Sequence, residues 1–253
     1  MLLVFALGAL LAQQPETLSL LGEPLYAPKL AKAERAAADA ELARAHAAYT
    51  AKPGGAAEVL ALSRAHLALG RVGDALVILT QGIEANPEAA ELFLERGRGY
   101  IVIRKFDVAA RDLTKATKLP EARCSLALAQ YLAADFDRSR ATYKDCAAPG
   151  VFAYLAERRA GGKPAQRPVP EGPAVAPSTR IRFPGTVAKQ KVNAAEPLSA
   201  KYLAAIEALL DGKEDAARED LKQIVEKNRG LWMQPVYVAA EADYARLAAK
   251  KKK

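Results

Sequence analysis

Aromatic residues make up only 6% of this 253-residue chain, which also holds only two cysteines, two histidines, two methionines and one tryptophan. So few rings leave little material for one thick core, and so few histidines leave little for a catalytic or metal centre. His46 and His66 show neither a His-x-x-x-His nor a His-Glu-x-x-His spacing. Cys124 and Cys146, reduced or bonded, stand too far apart for a Cys-x-x-Cys motif. There is no glycine-rich phosphate loop. Gly70-Arg71-Val72-Gly73 reads as a turn between helices, and Gly97-Arg98-Gly99 lies inside a predicted helix rather than after a strand. No catalytic residue, metal ligand or cofactor is expected from these residues.

What the chain has instead is alanine. Apolar residues reach 51% and much of that share is alanine, the best helix former. With Leu, Glu, Lys and Arg also common and β-branched runs scarce, the composition predicts an all-α protein. Small side chains suit narrow gaps between stacked helices better than the interior of a globule.

The net charge of +8 is unevenly placed. Arg158 to Lys191 holds eight basic residues against Glu171 alone, and Lys250 to Lys253 adds four more. The helical remainder is therefore slightly acidic. A folded nucleic-acid reader carries its basic face on ordered elements, so no specific nucleic acid is expected as a partner. At the other end, MLLVFALGALLA is apolar up to the polar Gln13-Gln14-Pro15. It resembles a secretory signal cut after Ala12, although no Lys or Arg precedes the apolar run. It is too short to span a bilayer, which takes about 20 residues. Two readings stand: export to a periplasmic or cell-envelope site, or the buried amphipathic start of a cytoplasmic protein.

Pro15, Gly22, Pro24 and Pro28 make 13–29 irregular, and an Ala-rich helix is predicted over 30–52 before Pro53-Gly54-Gly55 stops it. Ala56 to Pro87 then aligns without a gap with Ala90 to Glu121. Ser63 falls on Gly97, His66 on Tyr100, Ala75 on Ala109, Leu79 on Leu113 and Gly82 on Ala116. A third copy follows at a slightly shorter spacing. There Phe136-Asp137 matches Phe106-Asp107, which puts Ser139, Tyr143 and Cys146 at the small, large and small positions. A Pro- and Gly-rich basic stretch over 161–197 blocks helix continuation, and Arg180-Ile181-Arg182-Phe183 within it is a candidate docking segment. Helical signal then returns: Gly212 precedes Ala217 by five, as Gly70 precedes Ala75. A last helix is predicted from about Pro235 to Lys250, with Trp232 packing at its start.

These positions resemble the tetratricopeptide repeat, a pair of antiparallel helices with a period of about 34 residues. The resemblance covers Ala56 to Ala147 and a further stretch near the C-terminus. It implies an α-solenoid of helix-turn-helix hairpins, interrupted by the Pro-rich linker. The copies span 56–89, 90–120 and 121–148 within a helical region over 30–160, and a C-terminal hairpin plus capping helix spans 198–250 before the tail 251–253. A lone hairpin cannot bury its apolar face, so the last one must dock back on the first three or pair with another molecule.

In that family the first helices of successive repeats line a groove for a protein or peptide. On matched positions the groove here is Leu60, Arg64 and Leu67, then Leu94, Arg98 and Ile101, then Leu128 and Tyr131. Arg64 and Arg98 fall on equivalent positions. They would either clamp a carboxylate of a partner or pair with nearby Glu58, Glu91 or Glu95. The Lys and Asn set with which chaperone-binding members grip a peptide terminus is missing, since Leu60, Arg64 and Glu95 stand there. Cys124 and Cys146 lie on the two helices of one hairpin, as a disulfide or as two buried thiols. The function this implies is a non-catalytic scaffold in an exported or envelope complex. The alternative is a polyanion or membrane-surface tether working through the basic stretch and the lysine tail.

Overall fold

The computed structural model describes residues 14–146, 150–168 and 197–250. The apolar segment 1–12, the stretch 169–196 with its Arg180-Ile181-Arg182-Phe183 segment, and the tail 251–253 lie outside the described residues. The described chain is all-α apart from a small antiparallel hairpin, β1 (Thr17–Leu18) with β2 (Pro24–Leu25), in the segment expected to be irregular.

Eleven helices follow among the described residues: α1 (Lys32–Ala51), α2 (Ala56–Ala68), α3 (Val72–Ala85), α4 (Ala90–Val102), α5 (Phe106–Lys115), α6 (Pro120–Leu132), α7 (Phe136–Tyr143), α8 (Gly150–Arg159), α9 (Leu198–Leu210), α10 (Glu214–Lys227) and α11 (Pro235–Lys250). Each packs on the next from α1 to α11, and α2, α4 and α6 also touch one another in order. The last helix breaks this sequence, because α11 returns to pack on α9 and α6. One large apolar core therefore runs from Leu25 to Leu247, and Ala45, Leu62 and Ala65 form a smaller cluster between α1 and α2.

The hairpins share one turn. Gly70, Arg104, Ala134, Gly161 and Gly212 each have φ between 64° and 80°, in the left-handed region. After each, a backbone N–H reaches back five residues: Arg71 to His66, Lys105 to Tyr100, Asp135 to Gln130, Gly162 to Glu157 and Lys213 to Ala208, at 2.9–3.0 Å. This is the Schellman closure, which satisfies carbonyls that the helix end leaves free. Glycine takes the conformation without cost, whereas a side chain there costs roughly 1–2 kcal/mol. Arg104 and Ala134 thus sit where the backbone prefers glycine.

Close approach explains the small residues. A Cβ built on Gly82 would lie 2.4 Å from a Val59 methyl, so α3 meets α2 there without room for a side chain. Gly97 does the same on α4, against Leu113 and the carbonyl of Ala109. Between these contacts Leu79 and Leu113 are fully buried. In the third copy Ser139 stands where the first two have alanine. It is fully buried, and its hydroxyl donates to the carbonyl of Ala127 at 2.8 Å, which removes the cost of an unpaired polar group. The same hairpin is closed covalently, because Cys124 on α6 and Cys146 just past α7 form a disulfide.

Two stability measurements check this packing. Replacing a helical glycine with alanine ordinarily stabilises by roughly 0.5–1 kcal/mol. Gly82→Ala instead should lower the unfolding free energy by about 1–3 kcal/mol in a urea titration, because Val59 must move. Gly230→Ala, with no atom within 4 Å of the new carbon, should change it by less than about 0.5 kcal/mol. Cys124→Ser with Cys146→Ser removes a cross-link between positions 22 apart in sequence and should cost about 3 kcal/mol.

Candidate functional site

The eight residues predicted to line a groove do lie on three adjacent helices, α2, α4 and α6, but their surroundings differ sharply along each helix. Arg64 is exposed and Leu60 half-buried, both on α2. Leu67, Leu94, Arg98, Ile101, Leu128 and Tyr131 are all buried, and the five apolar ones among them belong to the continuous core. The two arginines do not form a free pair of cations. Arg64 donates Nε and Nη2 to one carboxylate oxygen of Glu95, at 3.0 and 2.6 Å. Arg98 lies 3.8 Å from the same oxygen and donates Nε to the Ser125 hydroxyl at 3.2 Å. Burial pulls the Arg98 guanidinium below its ordinary range, and Glu95 opposes that shift. Glu95 is therefore the shared counter-ion of the face, and of the two arginines only Arg64 has most of its side chain, 55%, in solvent.

Two further segments pack on the same hairpins, residues 14–31 at the α2–α3 turn and α11 on α6. A strap over 14–31 crosses the hairpin turns. Glu16 accepts from the Gly73 N–H at the start of α3 at 3.2 Å, and Pro28 fills the space above Gly70. Leu25 enters the core. From the other end comes Glu241 of α11, whose side chain is fully buried. One of its oxygens accepts from the Leu20 N–H of the strap, and the other accepts from Nε and Nη2 of Arg104, at 3.1 Å for Nε. Arg104 also donates to the carbonyls of Val102 and Trp232, and its guanidinium lies 5.5 Å from the Trp232 ring centre. The Trp232 indole N–H in turn donates to the Tyr26 carbonyl at 2.9 Å. Arg229 and Glu23 pair beside it.

A second buried network closes the end of α6. The Tyr131 and Tyr202 hydroxyls are 2.9 Å apart, and Tyr202 donates to Asp243 at 2.7 Å. Asp243 also accepts from Arg159 at 2.8 Å and from Arg246 at 2.7 Å, and Arg246 reaches on to the Leu132 carbonyl. The Arg159 guanidinium stacks over Phe136 at 4.7 Å and Tyr131 at 5.2 Å. Tyr131, placed by sequence in an open groove, is thus an interior residue bridging α6 to α9 and α11.

Arg104, Glu241, Trp232, Tyr202, Asp243 and Arg159 have no counterpart in the sequence-level site. Arg104 carried a signal. It occupies the turn position that Gly70 holds one repeat earlier, against the backbone's preference. Between the turn at Lys105, the end of α6 and α11 lies an open cleft of about 560 Å³, floored by Leu132, Ala242, Ala245 and Ala249. Among the described residues no three His, Cys, Asp or Glu side chains gather as metal ligands would. No described helix is long and apolar enough to cross a membrane. The chain matches no protein-family model and no curated protein.

Burial raises the hydroxyls of Tyr131, Tyr143 and Tyr202 above the ordinary tyrosine range, and burial with Glu241 nearby pushes Tyr237 up to about 12. Above about pH 10 the unfolded chain then releases tyrosine protons that the folded chain retains, so stability falls as pH rises. The melting temperature should drop steeply between about pH 9.5 and about pH 11.5, and less steeply in Tyr202→Phe, which removes one of these protons. Equal slopes for the two proteins would contradict the assignment.

Proposed function

We propose that the chain is a tetratricopeptide-repeat-like α-solenoid that acts as a non-catalytic scaffold, holding another protein or peptide in an exported or cell-envelope complex. The observation that carries the reading is the repeated hairpin. The same left-handed turn and five-residue back-bond recur at equivalent repeat positions, Gly70 and Arg104, and again at Ala134. Three first helices lie side by side as that architecture requires. The disulfide between Cys124 and Cys146 favours an oxidising compartment over the cytoplasm.

On this reading the surface open to a partner is the stretch around Leu60 and Arg64 on α2. Leu60 offers apolar area there, and Arg64 offers a guanidinium held in place by Glu95, with Ala57 and Glu91 exposed beside them. An acidic group on a partner competes with Glu95 for Arg64, while Arg98 stays committed to Ser125 and Glu95 inside. The surface is small, and an extended acidic peptide fits it better than a folded domain.

Crosslinking in the native host, followed by mass spectrometry, tests this. Arg64→Glu should leave the helical circular dichroism unchanged and reduce recovery of a defined partner about tenfold or more, a loss of roughly 1.4 kcal/mol. Recovery that ignores Arg64→Glu but disappears as salt is raised would assign the work to the basic stretch and lysine tail, the polyanion or membrane-surface alternative.

A further inference from the structure

Two arginine–carboxylate pairings in these hairpins differ in kind. Arg96 and Asp112 are committed to each other: Nε and Nη2 donate to different carboxylate oxygens, at 2.7 and 2.9 Å. Glu95 is shared. Its Oε1 accepts from Arg64 and lies 3.8 Å from Arg98 Nη1, while Oε2 accepts no hydrogen bond among the described residues. The two cations differ in their need of it. Arg64 is mostly in solvent, so water replaces Glu95 there at small cost. Arg98 is buried, and the one hydrogen bond of its guanidinium among the described residues goes to Ser125. Burial and, more weakly, the like charge of Arg64 work against the Arg98 cation, while Glu95 and then Glu121 support it. A buried charge is costly unless paired, so Arg98 gains more from Glu95 than Arg64 does. The gap to Arg98 Nη1 is only about 1 Å longer than a charge-assisted hydrogen bond, a small turn of the Glu95 side chain.

We propose that Glu95 is an exchangeable counter-ion: a carboxylate of an acidic peptide takes Arg64, and Glu95 passes to Arg98. Arg98 is then a positioning residue, which touches Glu95 and not the partner. The exchange leaves every charge paired. The partner's carboxylate replaces Glu95 on Arg64, Glu95 keeps a cation in the interior, and repulsion between the two guanidinium groups falls as Arg64 is neutralised. Without Arg98, capture would strand Glu95 as a buried anion. Arg98 therefore sets how readily the surface gives up Arg64. This rests on reading the stretch around Leu60 and Arg64 as the partner surface, and it adds the means by which that surface admits an acid.

Deleting Arg64 stands in for its capture, so the exchange is testable without a partner. In urea titrations of the full chain, Arg64→Ala should lower the midpoint by less than about 0.3 M, because Arg98 takes up Glu95. In an Arg98→Met background the same substitution should lower it by about 1 M or more, because Glu95 is then buried with no cation. Equal shifts in the two backgrounds, the result of a merely structural Arg98, would overturn the exchange. A crystal structure of Arg64→Ala decides the point even if Arg98→Met fails to fold. Glu95 should lie within about 3 Å of an Arg98 nitrogen, and a Glu95 turned to solvent would sink the proposal. Fluorescence anisotropy of a labelled hexaglutamate peptide reads the consequence. Glu95→Gln leaves Arg64 uncontested and should lower the Kd about threefold or more relative to wild type at the same salt, a change that an unaltered or higher Kd would contradict. If neither protein binds the peptide, the acidic-partner reading falls, and the urea comparison still decides the exchange.

Discussion

The arrangement of the two chain ends depends on a buried ion pair, Arg104 with Glu241, whose side chains are 3% and 0% exposed. An isolated buried charge is costly, and these two are tolerable because polar and aromatic groups surround them. Arg104 donates to Glu241 and to the carbonyls of Val102 and Trp232, and it lies over the Trp232 ring. The second oxygen of Glu241 accepts from the strap. The pair also accounts for a strained backbone. A side chain at the left-handed turn position costs roughly 1–2 kcal/mol relative to glycine, yet Arg104 is there, where its guanidinium reaches α11. The turn that joins the two helices of one hairpin is thereby the anchor for both the strap and α11.

The Asp243 network plays the corresponding role a little further along α11. A carboxylate accepting from Tyr202, Arg159 and Arg246 ties α8, α9 and α11 together, and Tyr131 and the Leu132 carbonyl bring in α6. Directional bonds specify how the C-terminal helices seat, where apolar packing alone tolerates sliding. The result is a repeat-like array in which most of the predicted face is buried and only Leu60 and Arg64 stay accessible.

Much of the architecture was legible from local sequence. Gly82 against Val59 and Gly97 against Leu113 need small residues at a fixed spacing, and a spacing survives in a linear sequence. Helix ends were legible for the same reason: Pro53-Gly54-Gly55 stops α1, and Gly70 and Gly212 close their helices. The candidate face was legible only in part. Arg64 and Glu95 are neighbours at nearly one repeat's distance, so their pairing was among the readings open from the start. Leu67, Leu94, Ile101 and Leu128 are buried in the core, and the contacts that seat the last helix span long separations, Glu241 to Arg104 at 137 residues and Trp232 to Tyr26 at 206. No periodicity encodes a contact of that range. The apolar character of those residues is as consistent with a core as with a groove, and here they are core.

Two protons report most directly whether the strap closes on α11 and the Trp232 turn. They are the Leu20 amide, donated to Glu241, and the Trp232 indole N–H, donated to the Tyr26 carbonyl. Hydrogen exchange of the full chain followed by nuclear magnetic resonance reads both. Closure predicts that both protons exchange far more slowly than in an unstructured peptide, and that Glu241→Gln accelerates the two together. Exchange of both at the unstructured rate, with the hairpin amides still protected, would contradict the account.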